Sequence, residues 1–107
     1  MPFVDSHCHL NFPELAENMA DVLAQMQHND VAGALCVSVN LAEFPQVLAL
    51  AEQHPNIYAS VGVHPDYEDV EEPSVARLVE LARHPRVIAI GETGLDYFRL
   101  KGDLEWQ

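Results

Sequence analysis

The sequence predicts an α/β fold built on a parallel sheet. Three observations carry that prediction. Short apolar runs of strand length alternate with longer stretches whose apolar residues recur at helical spacing. The pattern His54-Pro55, Ile57, Ala59 returns thirty positions later as His84-Pro85, Val87, Ala89, about the length of one strand-plus-helix unit. Side chains able to do chemistry also fall at the carboxyl ends of the predicted strands. A parallel sheet with right-handed crossovers gathers those ends on one side.

The elements follow in order. Phe3 to Leu10 reads as a short, largely buried strand. Residues two apart share a face of a strand, so His7 and His9 point together with Asp5 beneath them, and Cys8 points away. Asn11-Phe12-Pro13 makes a break. Leu15, Met19, Val22 and Met26 then fall on one face of a helix from about Glu14 to Asn29. After Gly33, the nearly continuous apolar run Ala34 to Val39 is what a strand covered on both sides should carry. Asn40 stands where a helix cap would. Phe44, Val47, Leu48 and Ala51 form the second helical stripe, ended by His54-Pro55. Pro45 fits only in the first turn of that helix. Ile57 to Val63 is the third strand. Pro73 and Ser74 open a third helix carrying Val75, Leu78, Val79 and Ala82. Val87 to Ile90 is the fourth strand, running into Gly91-Glu92-Thr93-Gly94-Leu95-Asp96-Tyr97. Asp103 is expected to cap a fourth helix.

The 107 residues suit one small domain or part of a larger one. A hydrophobic content of 49% supplies a core and excludes general disorder. The formal charge of -12 gives no attraction to phosphate backbones or anionic membranes, although clustered carboxylates attract cations. The acid-rich run Asp66 to Glu72 is expected to be a solvated loop. Cys8 and Cys36, both placed in strands and without C-x-x-C spacing, suggest a reducing compartment rather than a disulfide framework. The first residues carry neither a basic segment nor a long apolar run. The expectation is therefore no signal peptide, no membrane partner and a cytoplasmic location.

The chemistry centres on His7, His9 and Glu92. Two imidazole nitrogens and one carboxylate oxygen suit Zn²⁺ or Mn²⁺ with a position left for water, which the metal activates for hydrolysis. Glu92 could also bridge two metals. Asp5 could fix the tautomer of a ligating imidazole. His64, between Val63 and Pro65, could bind phosphate or support a ligand, or be a plain loop histidine. Asp96 could orient the Glu92 loop, contact substrate, or simply shape a turn. Phe98, Arg99 and Lys101 put an aromatic ring and two positive charges near the rim, where they could meet an anionic substrate or only solvent. His28, His54 and His84 fall at helix ends, where an imidazole caps carbonyls or meets the negative end of the dipole.

Three motifs now stand in order: Asp5-Ser6-His7-Cys8-His9, Val61-Gly62-Val63-His64-Pro65, and Gly91-Glu92-Thr93-Gly94-Leu95-Asp96-Tyr97. Together they resemble the TatD family of metal-dependent deoxyribonucleases, within the amidohydrolase-like barrels. The resemblance covers essentially the whole chain. It implies a TIM-type (β/α)8 barrel, one or two divalent cations (Zn, Mn or Mg), and hydrolysis of DNA phosphodiesters by metal-activated water. It also implies that His7 and His9 are metal ligands and that Glu92 is a catalytic metal ligand bridging two metals.

A full barrel needs about 250 residues, so residues 1–107 are expected to be a single incomplete domain, the N-terminal part of such a barrel with about four β/α units. The family's remaining ligands, two histidines and an aspartate, would lie beyond residue 107. Alone, the piece is expected to self-associate through its open strand edges and to show weak metal binding and little nuclease activity. DNA or a short oligonucleotide is the expected substrate. Two other readings remain: an amidohydrolase-like enzyme acting on an amide or ester, and a non-catalytic structural or interaction module.

Overall fold

A computed structural model describes residues 1–70 and 72–107. The elements run β1 (Phe3–Cys8), α1 (Pro13–Ala16), α2 (Met19–His28), β2 (Val31–Cys36), α3 (Phe44–Gln53), β3 (Ile57–Val61), α4 (Val75–Ala82) and β4 (Val87–Ile90). The strands form one sheet in the order β1-β2-β3-β4, and every pairing is parallel. Strands joined in sequence are therefore neighbours in space, each crossover carrying helix, as a parallel sheet requires.

One apolar cluster holds the sheet to its helices. Ala34 and Cys36 from β2, Ile57, Ala59 and Val61 from β3, and Val87 from β4 meet Phe44, Val47 and Ala51 of α3. Met19, Val22 and Met26 of α2 and Leu78 and Leu81 of α4 pack against the same cluster. Of the predicted stripe, Phe44, Val47 and Ala51 are buried and Leu48 is half-buried against the same cluster. Burying each of the larger side chains contributes roughly 1.5–3 kcal/mol. Pro45 sits in the first turn of α3, where its missing N–H is harmless. Ser74 caps α4, its hydroxyl accepting from the Arg77 N–H at 3.0 Å.

Arg86 pins the far end of α3 to β3. Its guanidinium donates to the carbonyls of Ala51, His54, Pro55 and Ile57 and lies over the Tyr58 ring, 4.2 Å from its centroid. One planar group thus satisfies carbonyls that the helix end leaves open.

Several expectations are corrected. β1 is not largely buried: Phe3 and Val4 are 66% and 71% exposed, because β1 is an edge strand with a neighbour on one side only. The helix expected over 14–29 is two helices, broken at Glu17 and Asn18, where the Glu17 N–H turns back to the Pro13 carbonyl and the Asn18 N–H to the Leu15 carbonyl. β3 ends at Val61 rather than Val63. No helix begins at Asp103; its carboxylate instead accepts from the Glu105 N–H at 3.1 Å in a turn. Glu71, in the acid-rich run, lies outside the described residues. Among the described residues, no helix is long and apolar enough to cross a membrane.

Candidate metal centre

The rim at the carboxyl ends of the strands is built by backbone hydrogen bonds that continue the ladder past the strands. Val37 N–H donates to Cys8 O at 2.8 Å, His64 N–H to Val39 O at 2.8 Å, and Gly91 N–H to Val61 O at 3.0 Å. Glu92 N–H reaches across to Ser38 O at 2.8 Å. These bonds draw the ends of all four strands toward one another.

Two serines hold the junction from below. Ser38 Oγ donates to Ser60 O at 2.7 Å, and Ser60 Oγ, which accepts from Ser38 N–H at 3.0 Å, donates to Gly91 O at 2.8 Å. Both serines are buried. These bonds stitch β2, β3 and the segment after β4 together. Gly62 allows the closest approach. A Cβ there would lie 2.6 Å from Gly91 C, 2.7 Å from Gly91 O and 2.8 Å from Glu92 O.

This framework brings His7, His9 and Glu92 together. One ligand atom from each lies within 4.8 Å of the others. His9 Nε2 is 3.4 Å and His7 Nε2 3.6 Å from Glu92 Oε2. The two imidazoles meet edge to face, with centroids 5.1 Å apart, and His9 stacks on Phe12 at 4.5 Å. His7 is the more open, with its side chain 55% exposed against 25% for His9 and 19% for Glu92. A third imidazole approaches from the other side: His64 Nε2 is 3.6 Å from Glu92 Oε1.

The donor chemistry fits a divalent cation. His9 Nδ1 lies 3.0 Å from the Val37 carbonyl. A carbonyl can only accept, so Nδ1 carries the proton and Nε2 of the neutral ring is left as a lone pair. That lone pair faces a carboxylate oxygen, acceptor against acceptor, an arrangement that a cation between them resolves. Two donors about 2.1 Å from one tetrahedral ion stand about 3.4 Å apart, close to the spacings found here. His7, His9 and Glu92 could hold such an ion, with water completing its coordination.

The other candidates are placed differently. Asp5 does not touch an imidazole: its Oδ1 accepts from the His7 backbone N–H at 3.0 Å. The tautomer-fixing role expected of it falls, at His9, to the Val37 carbonyl. Asp96 is buried and turns away into its own loop, accepting from the N–H groups of Phe98, Arg99 and Leu100. Burial by itself would raise its carboxyl; the Arg99, Phe98 and Leu100 N–H donors and the Arg99 charge outweigh that and hold it below the ordinary carboxylate value. It is a turn aspartate. Its loop is closed further by Gln107, whose side chain pairs with the Asp96 backbone at 2.6 and 3.0 Å.

Cys8 faces the other way, toward its β2 partner Cys36, and donates to Leu35 O at 3.4 Å. The neighbouring Cys36 thiol, then burial, raises the Cys8 thiol above the ordinary value. Both cysteines are free.

One residue escaped the sequence reading. Asp66, assigned to a solvated acidic loop, has Oδ1 2.6 Å from His64 Nδ1 and Oδ2 3.4 Å from the Arg99 guanidinium. The only available signal was its position two residues after His64. Arg99 is thereby engaged at the rim, whereas Phe98 is 86% exposed.

Comparison with known proteins gives a consistent picture. The family described as TatD related DNase matches residues 4–107. The chain is 39% identical over 105 residues to the uncharacterized metal-dependent hydrolase YcfH of Escherichia coli K12, covering 92% of this chain and 38% of that one. It is 35% identical over 96 residues to a Salmonella typhimurium protein named 3'-5' ssDNA/RNA exonuclease TatD, covering 89% and 37%. The crystal structure of YjjV, a TatD homolog from Escherichia coli K12, superposes with a TM-score of 0.79 at 31% identity, over 97% of this chain and 42% of that one. The chain thus spans about two fifths of the length of the relatives it matches. Its four parallel strands alternating with helices share the α/β architecture of that TIM-type barrel homologue.

Proposed function

Because the chain belongs to the TatD-related DNase family of metal-dependent hydrolases, we propose that His7, His9 and Glu92 hold a divalent cation and serve the hydrolysis of DNA phosphodiesters. The activity is proposed for a longer barrel-forming chain, of which residues 1–107 supply this cluster as an incomplete domain. The observation that carries the reading is the geometry at Glu92. Its Oε2 stands 3.4 Å from the Nε2 lone pair of His9, whose tautomer the Val37 carbonyl has already fixed.

The bound cation would act as a Lewis acid and lower the pKa of water toward neutrality. The chain's own residues do the rest. Val37 orients His9, the Phe12 ring backs it, and the Ser38 carbonyl fixes the start of the Glu92 side chain. Glu92 turns Oε2 toward the His7 and His9 imidazoles and Oε1 toward His64.

The net charge of -12 disfavours long-range attraction of duplex DNA. It favours a short oligonucleotide or a strand end, in keeping with the exonuclease name of the Salmonella relative. Amide or ester hydrolysis uses the same cluster, and a substrate screen of a longer chain with Mg²⁺, Mn²⁺ and Zn²⁺ separates the two.

The first test needs only the 107 residues. Isothermal titration calorimetry with Zn²⁺ or Mn²⁺ should show a site whose affinity falls at least about tenfold in His9→Ala and in Glu92→Gln. Unchanged affinity in both, with the fold intact, would leave the proposed reaction without its centre and favour a non-catalytic interaction module.

A further inference from the structure

We propose that Asp66 is a positioning residue: its carboxylate accepts a hydrogen bond from His64 Nδ1–H and so holds the proton on Nδ1, leaving Nε2 to face Glu92 as a bare hydrogen-bond acceptor. The proposal rests on reading Glu92 and its histidines as the reaction centre.

Two groups compete for His64 Nδ1. The Asp66 carboxylate lies 2.6 Å away and can only accept, so it requires a proton on Nδ1. The Asp66 backbone N–H lies 3.1 Å from the same atom and can only donate, so it requires a bare Nδ1. The ionised acceptor makes the shorter and stronger bond. Arg99 reinforces it, with its guanidinium 3.4 Å from the other carboxylate oxygen. Both side chains are mostly shielded, His64 at 18% and Asp66 at 25% exposure.

The consequence appears at the other end of the ring. With the proton on Nδ1, Nε2 of the neutral imidazole is an acceptor 3.6 Å from Glu92 Oε1. It can take a hydrogen bond from a water or hydroxyl at the rim. It cannot donate one to an anionic phosphate oxygen. Of the roles open to His64 from sequence, phosphate binding by the neutral ring is therefore the one this arrangement argues against.

The test is tautomer assignment by nitrogen-15 NMR of the histidine-labelled chain, without metal, about two units above the ordinary histidine pKa of about 6.5. In the parent chain His64 should be protonated at Nδ1 and bare at Nε2. In Asp66→Ala the backbone N–H should claim Nδ1 and the proton should move to Nε2. Asp66→Asn, which keeps the shape and loses the charge, should lower the ratio of the first form to the second by about tenfold.

His9, held as the Nδ1–H form by Val37, reports in the same spectrum whether the rim is still folded. A protonated Nε2 on His64 of the parent chain would overturn the proposal. So would an unchanged His64 tautomer in both variants with the His9 signals intact. Because no metal is added, failure of cation binding at His7, His9 and Glu92 would sink the proposed function and leave this result standing.

Discussion

Replacing Gly62 by alanine should loosen the rim and displace Glu92. The added Cβ would stand 2.6 Å from Gly91 C, 2.7 Å from Gly91 O and 2.8 Å from Glu92 O, all backbone atoms. Ordinary contact begins near 3.4 Å. The segment after β4 must therefore retreat from 2.6 Å toward that distance, because no flexible side chain is there to yield. Overpacking of this kind costs about 1–3 kcal/mol. The retreat also strains the bonds from Gly91 N–H to Val61 O and from Glu92 N–H to Ser38 O, each worth roughly 0.5–1.5 kcal/mol. Together the loss is at most about 2–6 kcal/mol, a large share of the roughly 5–15 kcal/mol that holds a typical domain. Urea unfolding followed by circular dichroism should show the midpoint falling with the slope preserved. Calorimetric affinity for Zn²⁺ or Mn²⁺ should fall with it, because Glu92 follows Gly91 directly. Gly91→Ala is the contrast. Its Cβ would meet only Ser60 Oγ, at 3.9 Å, so its destabilisation should be the smaller of the two. A Gly62→Ala chain with unchanged midpoint and unchanged cation affinity would refute the claim that this close approach places Glu92.

Three further outcomes follow from the structure. Arg86→Met keeps apolar bulk beside Tyr58 but strands the carbonyls of Ala51, His54, Pro55 and Ile57; a loss of about 2–4 kcal/mol in urea unfolding is expected, and a loss under about 0.5 kcal/mol would show that water replaces the guanidinium freely. The Asp96 carboxyl is held below its ordinary value in the folded chain, so its contribution is complete above the unfolded value of about 3.9 and disappears as pH falls through the folded value; the urea midpoints of the parent chain and Asp96→Ala should therefore converge in acid, and a constant gap down to pH 2 would contradict the assignment. With Phe3 and Val4 on one sheet edge and Ile88 and Ile90 on the other all at least half exposed, the 107-residue chain should self-associate, and light scattering at high concentration would refute that by showing a stable monomer.

The sheet was legible because its signal is local and redundant. β4 begins and ends where its apolar run does, at Val87 and Ile90, and α3 buries the stripe its spacing predicts. The break between α1 and α2 was hidden for a related reason. Leu15 and Met19 keep the helical spacing across it, so the apolar pattern runs on while the backbone turns at Glu17 and Asn18. The exposure of β1 could not be read from its letters, since the number of neighbours a strand has is a property of the sheet.

The site shows the same division between what alternation conveys and what long-range contacts decide. Alternation correctly set His7 and His9 apart from Cys8, but it also put Asp5 beneath the imidazoles. Strict alternation assumes an unbroken ladder, and the pairing of β1 with β2 shifts register twice, once between Asp5 and Cys8. Across that shift the Asp5 carboxylate is taken by the His7 backbone, two residues along, before it can reach a ring. Short acidic side chains readily make such local bonds. His9 must then find its tautomer-fixing partner on another strand, and Val37, from the segment after β2, provides it. An aspartate two residues before a histidine is thus a weak guide to a histidine–carboxylate pair on a strand. In the loop after β3, where the chain bends back on itself, the same two-residue spacing in the opposite direction gives Asp66 direct access to the His64 ring.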